Sequence, residues 1–284
     1  ETGPGKPSTA GPKKGAMMKY FHSWSGGKDS TAAIILDHIH GLPPSRIVFC
    51  EVMYDRKNGI SGELPEHIDF VKNVAIPKFT EWGFTVDLIT AETDYLENFF
   101  RVISKSRNGN NGKMRGFPLS GRCTINRDCK LKPIHDYYKR NGLKPSEYTQ
   151  YVGIAIDEPE RLERLRGTNK VSLLERYGYT EKMALELCRE HGLLSPTYQF
   201  TSRGGCWFCP NQRLSEMAHL KESWPDLWAE LERLDNVEGR VTKGFKYGET
   251  FAQVARRVEQ WIRNRDLVEQ QLSLFDKPER SEHQ

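Results

Sequence analysis

The junction Ser25-Gly26-Gly27-Lys28-Asp29-Ser30 constrains this chain more than any other segment. It joins a short aromatic-rich run, Lys19–Ser25, to Ser30–His40, where Ala33, Ile34, Leu36 and Ile39 supply the apolar face of a helix. A strand that hands over to a helix through a glycine pair can turn tightly, and the backbone there can approach a ligand without Cβ clashes. The helix start then presents free N–H groups and the positive end of its dipole, so anions bind there. Ser25 and Ser30 add hydroxyl donors, Lys28 adds a point charge, and Asp29 is placed to orient the loop or to hold Mg²⁺. The spacing is wrong both for GxxxxGKS/T and for GxGxxG.

Strands and helices alternate from there to Leu174. Arg46–Met53 (RIVFCEVM) is β-branched and apolar without clean alternation, the pattern of a strand buried on both faces of a parallel sheet. Glu66–Trp82 has a helical pattern, with Pro65 suited to its first turn, Pro77 expected to kink it and Gly83 to end it. Phe84–Ile89 is the third strand. A further amphipathic stretch, Tyr95–Ser106, leads into NGNNGKMRG, whose Asn and Gly mark a loop. Lys132–Asn141 is expected as a helix, Tyr148–Ile156 (YTQYVGIAI) as the fourth strand and Val171–Leu174 as a weaker fifth. This order predicts an α/β fold with a doubly wound, mainly parallel sheet.

From Thr180 onward the pattern is helical, over Thr180–His191, Leu214–Leu234 and Phe251–Arg265. The expected division is 1–16 as a flexible leader or cloning remnant, 17–200 as an α/β nucleotide-binding domain, 201–275 as a helical C-terminal subdomain carrying a CxxC, and 276–284 as a polar tail.

No apolar run approaches the roughly 20 residues needed to cross a bilayer, and the first residues lack the apolar core of a secretory signal. A chain of 284 residues with 28% charged and 11% aromatic side chains is not globally disordered, and six cysteines are too few for a disulfide-built scaffold. A reducing, cytoplasmic setting with no membrane partner is expected. The formal charge of +4 hides an uneven spread: Arg101–Arg140 holds eleven Lys or Arg against two Asp, a local net of +9. Such a segment is either a solvated face or a site for phosphate-rich partners, nucleotide or nucleic acid.

The same segment holds Cys123 and Cys129 in GRCTINRDCKLKP, and Cys206 and Cys209 stand in GGCWFCP. A CxxC closed by turn residues lets two thiolates reach one metal, and a second pair can complete four ligands. The spacing of the first pair is not a standard zinc-finger interval, so an iron–sulfur cluster of the 4Fe–4S type, a structural Zn²⁺ and a redox-active CxxC all remain open. Arg122, Arg127, Lys130 and Lys132 surround that pair; cations beside thiolates favour ligation, and Arg also forks onto phosphate. Cys50 and Cys188 fall in an expected core strand and helix and are read as small core residues. Asp157, Glu158 and Arg161 follow the fourth strand, where ligands of open α/β sheets bind, although a helix-capping role suits them equally. Asp55 and Glu63 are similar candidates after strand two.

SGGKDS is similar to the SGGxDS signature of the PP-loop ATP pyrophosphatases, which cut ATP between its α and β phosphates and leave AMP on a substrate as an activating group. With GRCTINRDCKLKP, VGIAIDEPER and GGCWFCP following in order, the chain resembles the phosphoadenosine phosphosulfate (PAPS) reductase family of that superfamily, over about Lys19–Arg213. The resemblance implies an adenine-nucleotide α-hydrolase-like fold. By position it makes Ser25–Ser30 the phosphate binders with Lys28 and Asp29 catalytic, sets Arg122 and Lys130 against the substrate anion, and lines the pocket with Asp157–Arg161. Assimilatory reductases of this family carry a catalytic cysteine in a C-terminal ECGxH-like motif, whereas no cysteine follows Cys209 here. The intact loop and four cysteines are similar instead to iron–sulfur-dependent tRNA thiolation enzymes and the DNA phosphorothioation sulfurtransferase.

The implied function is ATP-dependent adenylation of an acceptor for sulfur transfer. ATP and Mg²⁺ would serve it with the cluster or zinc, a nucleic acid or small molecule would be the acceptor, and a sulfur donor protein would be a partner. Two alternatives are a PAPS or adenylyl-sulfate reductase using an external thiol, and a nucleotide- or nucleic-acid-binding module without turnover.

Overall fold

The computed structural model describes residues 18–120, 122–201 and 205–275, so the expected leader and polar tail lie outside the described residues. Five strands form the central sheet: β1 (Lys19–Trp24), β2 (Ser45–Glu51), β3 (Thr85–Thr90), β4 (Tyr148–Val152) and β5 (Lys170–Ser172). Every pairing is parallel, in the order β5-β4-β1-β2-β3. In register, Phe21 of β1 lies across from Arg46 on one side and Gln150 on the other.

Strand β2 shows why its apolar run lacks alternation. Ile47 and Phe49 join Trp24 and the helix α1 (Lys28–His40) in one core, whereas Val48 and Cys50 join Phe21, Ile134 and Tyr138 in another. Successive side chains leave a strand on opposite faces, so both faces of the sheet are covered. Helix α1 packs with Glu181–Glu190 on the first face, and Lys132–Arg140 covers the second. The α/β, doubly wound, parallel architecture expected from the sequence is the one observed.

Local departures have local causes. The helix expected over Glu66–Trp82 runs as Pro65–Phe70, a π-helical turn Val71–Ala75, and Ile76–Glu81. The irregularity falls in the turn before Pro77, whose ring nitrogen has no N–H to return to the helix. Gly83, at φ 88°, ends it. The stretch Tyr95–Ser106 is helical only to Phe100. Beyond that the backbone pairs instead with the far side of its loop, Arg115 N donating to Arg101 O and Ile103 N to Lys113 O, each at 2.9 Å. The single helix expected over Leu214–Leu234 is two, Leu214–Ser223 and Pro225–Asp235, because Pro225 suits a first helical turn and cannot continue one. The last helix, Phe251–Phe275, continues well past Arg265.

A third core gathers beyond the C-terminal end of β2. Val52, Tyr54, Tyr95, Phe99 and Phe117 pack there with Trp207 and Phe208 of the CxxC turn, and with Leu220, Leu231 and Val258 from the last three helices. At about 1.5–3 kcal/mol for each large side chain fully buried, this core fastens those helices to the segments that follow β2 and β3. Strand β1 is the centre of the sheet, and the chain leaves it first toward β2 and later, through β4, on its other side. The C-terminal ends of β1 and β4 therefore flank the switch point at which open α/β sheets bind ligands.

Candidate functional site

Ser25–Ser30 occupies that switch point, between the end of β1 and the first turn of α1. Gly26 is in the left-handed region at φ 75°, and a Cβ there would lie 2.4 Å from His67 Nε2, so both conformation and space require glycine. Gly27 is the helix N-cap without a side-chain cap of its own. The loop is closed on itself: Ser25 N donates to Ser30 Oγ at 3.2 Å, Ser30 Oγ donates to Gly27 O at 3.0 Å, and the two serine hydroxyls are 3.1 Å apart. Gly153, just after β4, brings the neighbouring strand end against this turn; a Cβ on it would sit 2.3 Å from Ser30 N. The strand beside β1 thus touches the backbone of the helix start.

Two residues distant in sequence hold the loop. His67 is buried, with Nδ1 2.9 Å from Ser195 Oγ and Nε2 3.3 Å from Ser25 O. Burial pushes its pKa down, so the imidazole is neutral; Nε2–H then donates to Ser25 O and Nδ1 accepts from Ser195. Tyr198 meets the helix start itself, its hydroxyl accepting from Lys28 N at 2.9 Å. On the same helical turn, the thiol of buried Cys188 donates to Lys28 O at 3.1 Å.

The charged groups converge around Lys28, which is largely buried. Its Nζ donates to Asp29 Oδ1 at 2.7 Å and lies 3.6 Å from Glu181 Oε1. Burial raises the Asp29 pKa; the Lys28 ammonium opposes that shift, and Glu181 and Glu158 add to it. Glu158 Oε2 accepts from Ala155 N at 3.2 Å, while Oε1 pairs with Arg161. Asp157 accepts from Glu181 N at 3.0 Å, at the start of the helix Glu181–Glu190. The structure thus brings Lys28, Asp29 and Glu158 together with Glu181, gives Asp157 a capping contact, and leaves Arg161 on Glu158. Asp55 lies elsewhere, in a hairpin turn where its carboxylate accepts from Asn58 N and Nδ2.

The cysteines belong to a different place. Cys123, Cys206 and Cys209 line one cavity of about 350 Å³ together with Lys130. Cys129 is fully buried, its thiol donating to Thr93 O at 3.3 Å and accepting from Asn98 Nδ2 at 3.5 Å. Among the described residues, no three His, Cys, Asp or Glu side chains stand close enough together to hold a metal ion. Lys130 reaches Glu63 at 4.0 Å. The side chain of Arg122 lies outside the described residues.

His67, Ser195, Tyr198, Glu181 and Gly153 escaped the sequence reading. Only Gly153 left a signal, as a lone glycine at the end of a strand pattern, which marks close approach of another backbone. No helix among the described residues is long and apolar enough to cross a membrane.

No family model matches the chain, and no curated protein matches its sequence. Among solved structures, a phosphoadenylyl-sulfate (PAPS) reductase from Candida auris, in a phosphate complex, aligns with a TM-score of 0.40 and 13% sequence identity, over 67% of this chain and 82% of that chain.

Proposed function

We propose that the chain is an ATP pyrophosphatase: Ser25–Ser30 binds the triphosphate, and an acceptor oxygen attacks the α-phosphorus, leaving the acceptor adenylated for sulfur transfer. The observation that carries this reading is the glycine-built start of α1 at the sheet's switch point. There the left-handed Gly26 and the close approach of Gly153 keep the backbone bare, and Lys28 lies beside the helix N-terminus. N–H groups at a helix start, hydroxyls and one ammonium are the donors that a phosphate chain takes.

The chemistry is a displacement. The bond from acceptor oxygen to Pα forms as the bridging bond to the β-phosphate breaks, and the electron pair leaves on pyrophosphate. Lys28 neutralises that developing charge once its ammonium turns from Asp29 to the phosphates, and the loop N–H groups add fixed donors. Tyr198, which holds Lys28 N in the structure, gives this N–H up to an incoming phosphate oxygen. Asp29 suits Mg²⁺, which is usually bound by one or two carboxylates together with substrate phosphates and would neutralise leaving-group charge. A sulfur nucleophile then expels AMP, a step that rests on the sequence resemblance.

Pyrophosphate release from ATP in the presence of candidate acceptors tests the reading. Lys28→Ala and Asp29→Ala should abolish it; unchanged turnover in both removes the loop from catalysis.

A further inference from the structure

Lys28 offers a phosphate its backbone N–H and its ammonium, and in the structure both are engaged. The ammonium donates to Asp29 Oδ1 at 2.7 Å, and the N–H donates to Tyr198 Oη at 2.9 Å. The phenol lies directly over the turn, since a Cβ on Gly27 would come within 3.4 Å of its oxygen. A hydroxyl oxygen on an N–H of the first helical turn stands where a phosphate oxygen would stand. That N–H has one proton to give, so the two acceptors compete for it.

The segment that carries Tyr198, Ser195–Thr201, is pinned on both sides of it. Upstream, Ser195 Oγ donates to His67 Nδ1 at 2.9 Å; with its proton spent there, its contact with Thr197 at 3.0 Å is one in which Thr197 Oγ1 donates. Downstream, Phe200 stacks on His219 with ring centroids 3.6 Å apart, and Thr201 Oγ1 donates to Glu216 Oε1 at 2.9 Å. His219 and Glu216 both lie on the helix Leu214–Ser223, and His219 Nε2 is in turn 2.9 Å from Glu66 Oε1. Glu66 and His67 are consecutive residues of the helix Pro65–Phe70, so one helical turn holds the segment from both ends.

Between these pins the backbone is ordered by its own hydrogen bonds. Tyr198 N donates to Ser195 O at 3.1 Å and Thr201 N to Thr197 O at 2.9 Å, so the stretch is a bonded turn rather than a slack connection. Ser195, Thr197 and Thr201 are buried, whereas the ring that meets the loop is half-buried. Anchors inside and a partly accessible hydroxyl on the loop are the parts of a strap.

We propose that Ser195–Thr201 is an autoinhibitory strap. Tyr198 Oη takes the place of a phosphate oxygen at Lys28 N, nucleotide must displace it to bind, and the hold of the helix Leu214–Ser223 on Phe200 and Thr201 sets how readily it lifts. The inference rests on the phosphate-binding role proposed above for Ser25–Ser30. The apparent affinity is then the intrinsic one reduced by the fraction of molecules with the strap raised. A brace that shaped the loop for its ligand would act in the opposite sense, and its removal would weaken binding.

Isothermal titration calorimetry of the full chain with Mg²⁺ and either pyrophosphate or α,β-methylene ATP, which cannot be cut at the α–β bridge, reads the affinity without turnover. Tyr198→Phe keeps the ring and removes the competing acceptor; Thr201→Val keeps the shape and removes the hydrogen bond to Glu216. Each should bind both probes roughly two- to tenfold more tightly, the equilibrium worth of one hydrogen bond. Unchanged or weaker binding in Tyr198→Phe would overturn the competition, and the same result in Thr201→Val would overturn control from the C-terminal helices. Binding by the parent chain with no gain in either variant therefore refutes the strap alone. Absence of binding in parent and variants alike refutes the phosphate loop together with it.

Discussion

Gly153→Ala is the sharpest test of how the sheet builds the phosphate loop. The added methyl would lie 2.3 Å from Ser30 N and 2.4 Å from Asp29 C, both backbone atoms of the first turn of α1. An ordinary contact is about 3.5 Å, so the end of β4 and the helix start must part by roughly 1 Å. Neither can yield easily, because Ala32, Ala33, Ile34 and Ile35 anchor the same helix in the core with essentially no exposure. Overpacking usually costs about 1–3 kcal/mol, and with rigid backbone on both sides the expected loss is about 3 kcal/mol, set against a typical total of about 5–15 kcal/mol. Gly27→Ala is the control: its φ is −76° and its added Cβ would meet Ser25 Oγ and Tyr198 Oη at an ordinary 3.4 Å. That substitution should cost about 1 kcal/mol or less, the difference between glycine and alanine at a helix N-cap. Urea unfolding followed by circular dichroism measures both. A Gly153→Ala midpoint no lower than that of Gly27→Ala would refute the close approach of β4 to the loop, and with it the argument that this strand end shapes the phosphate site.

Burial holds His67 and His22 below the ordinary imidazole range, although Asp37, 2.6 Å from His22, opposes the shift there. The unfolded chain therefore takes up protons that the native state does not as pH falls through about 6.5. Stability should be level above pH 7 and decline toward pH 5, less steeply in His67→Gln; parallel profiles would remove His67 as a source of that slope. Gly26→Ala should lose phosphate-loop ligands even where the chain folds, since its Cβ would strike His67 Nε2; nucleotide affinity equal to that of the parent chain would count against the loop geometry. Thiol alkylation of the native protein should begin at exposed Cys123 and reach Cys50, Cys129 and Cys188 only on unfolding, because burial both hides these thiols and pushes their pKa values up, to about 12, 11 and 12. Mass spectrometry of peptides reads that order. Joint protection of Cys123, Cys206 and Cys209 in protein purified without oxygen would instead indicate a shared metal.

The sheet was legible because its signals are local. The run RIVFCEVM is continuous in apolar character because Ile47 and Phe49 serve one core while Val48 and Cys50 serve another. The same holds for the handover at Ser25–Ser30, where glycines and a helix pattern lie within a few residues of each other. Errors arose where a local pattern met a distant partner or a stereochemical stop. Residues after Phe100 have helical spacing but pair with 113–115, and the apolar spacing through Leu214–Leu234 continues across a proline that no helix interior accommodates. The supports of the loop were invisible for a related reason. His67 reaches Ser195 across 128 positions, and Tyr198 reaches Lys28 across 170; no spacing rule encodes either contact.

The cysteines show how one short segment can send its side chains into different surroundings. In sequence, Cys123 and Cys129 read as a pair because they flank one short segment. In the structure Cys129 sits on the π-helical turn Arg127–Leu131, whose widened backbone leaves its thiol on Thr93 and Asn98, while Cys123 lies on the cavity wall. The other pair is fixed by a different strand: Cys206 bridges Glu63, and Trp207 N donates to Gly62 O at 3.0 Å. Glycine is needed at that contact, since a Cβ on Gly62 would lie 2.8 Å from both Phe208 and Val52 O. The segment after β2 thus holds the CxxC turn against the third core, and through Glu63 it also reaches Lys130, so one stretch of chain sets both the thiols and the ammonium around the same cavity. Its next residues form the helix that carries His67 to the phosphate loop. The loop and the cavity are therefore built from opposite ends of a single segment, Gly62 to His67, and a substitution that shifts it will be felt at both.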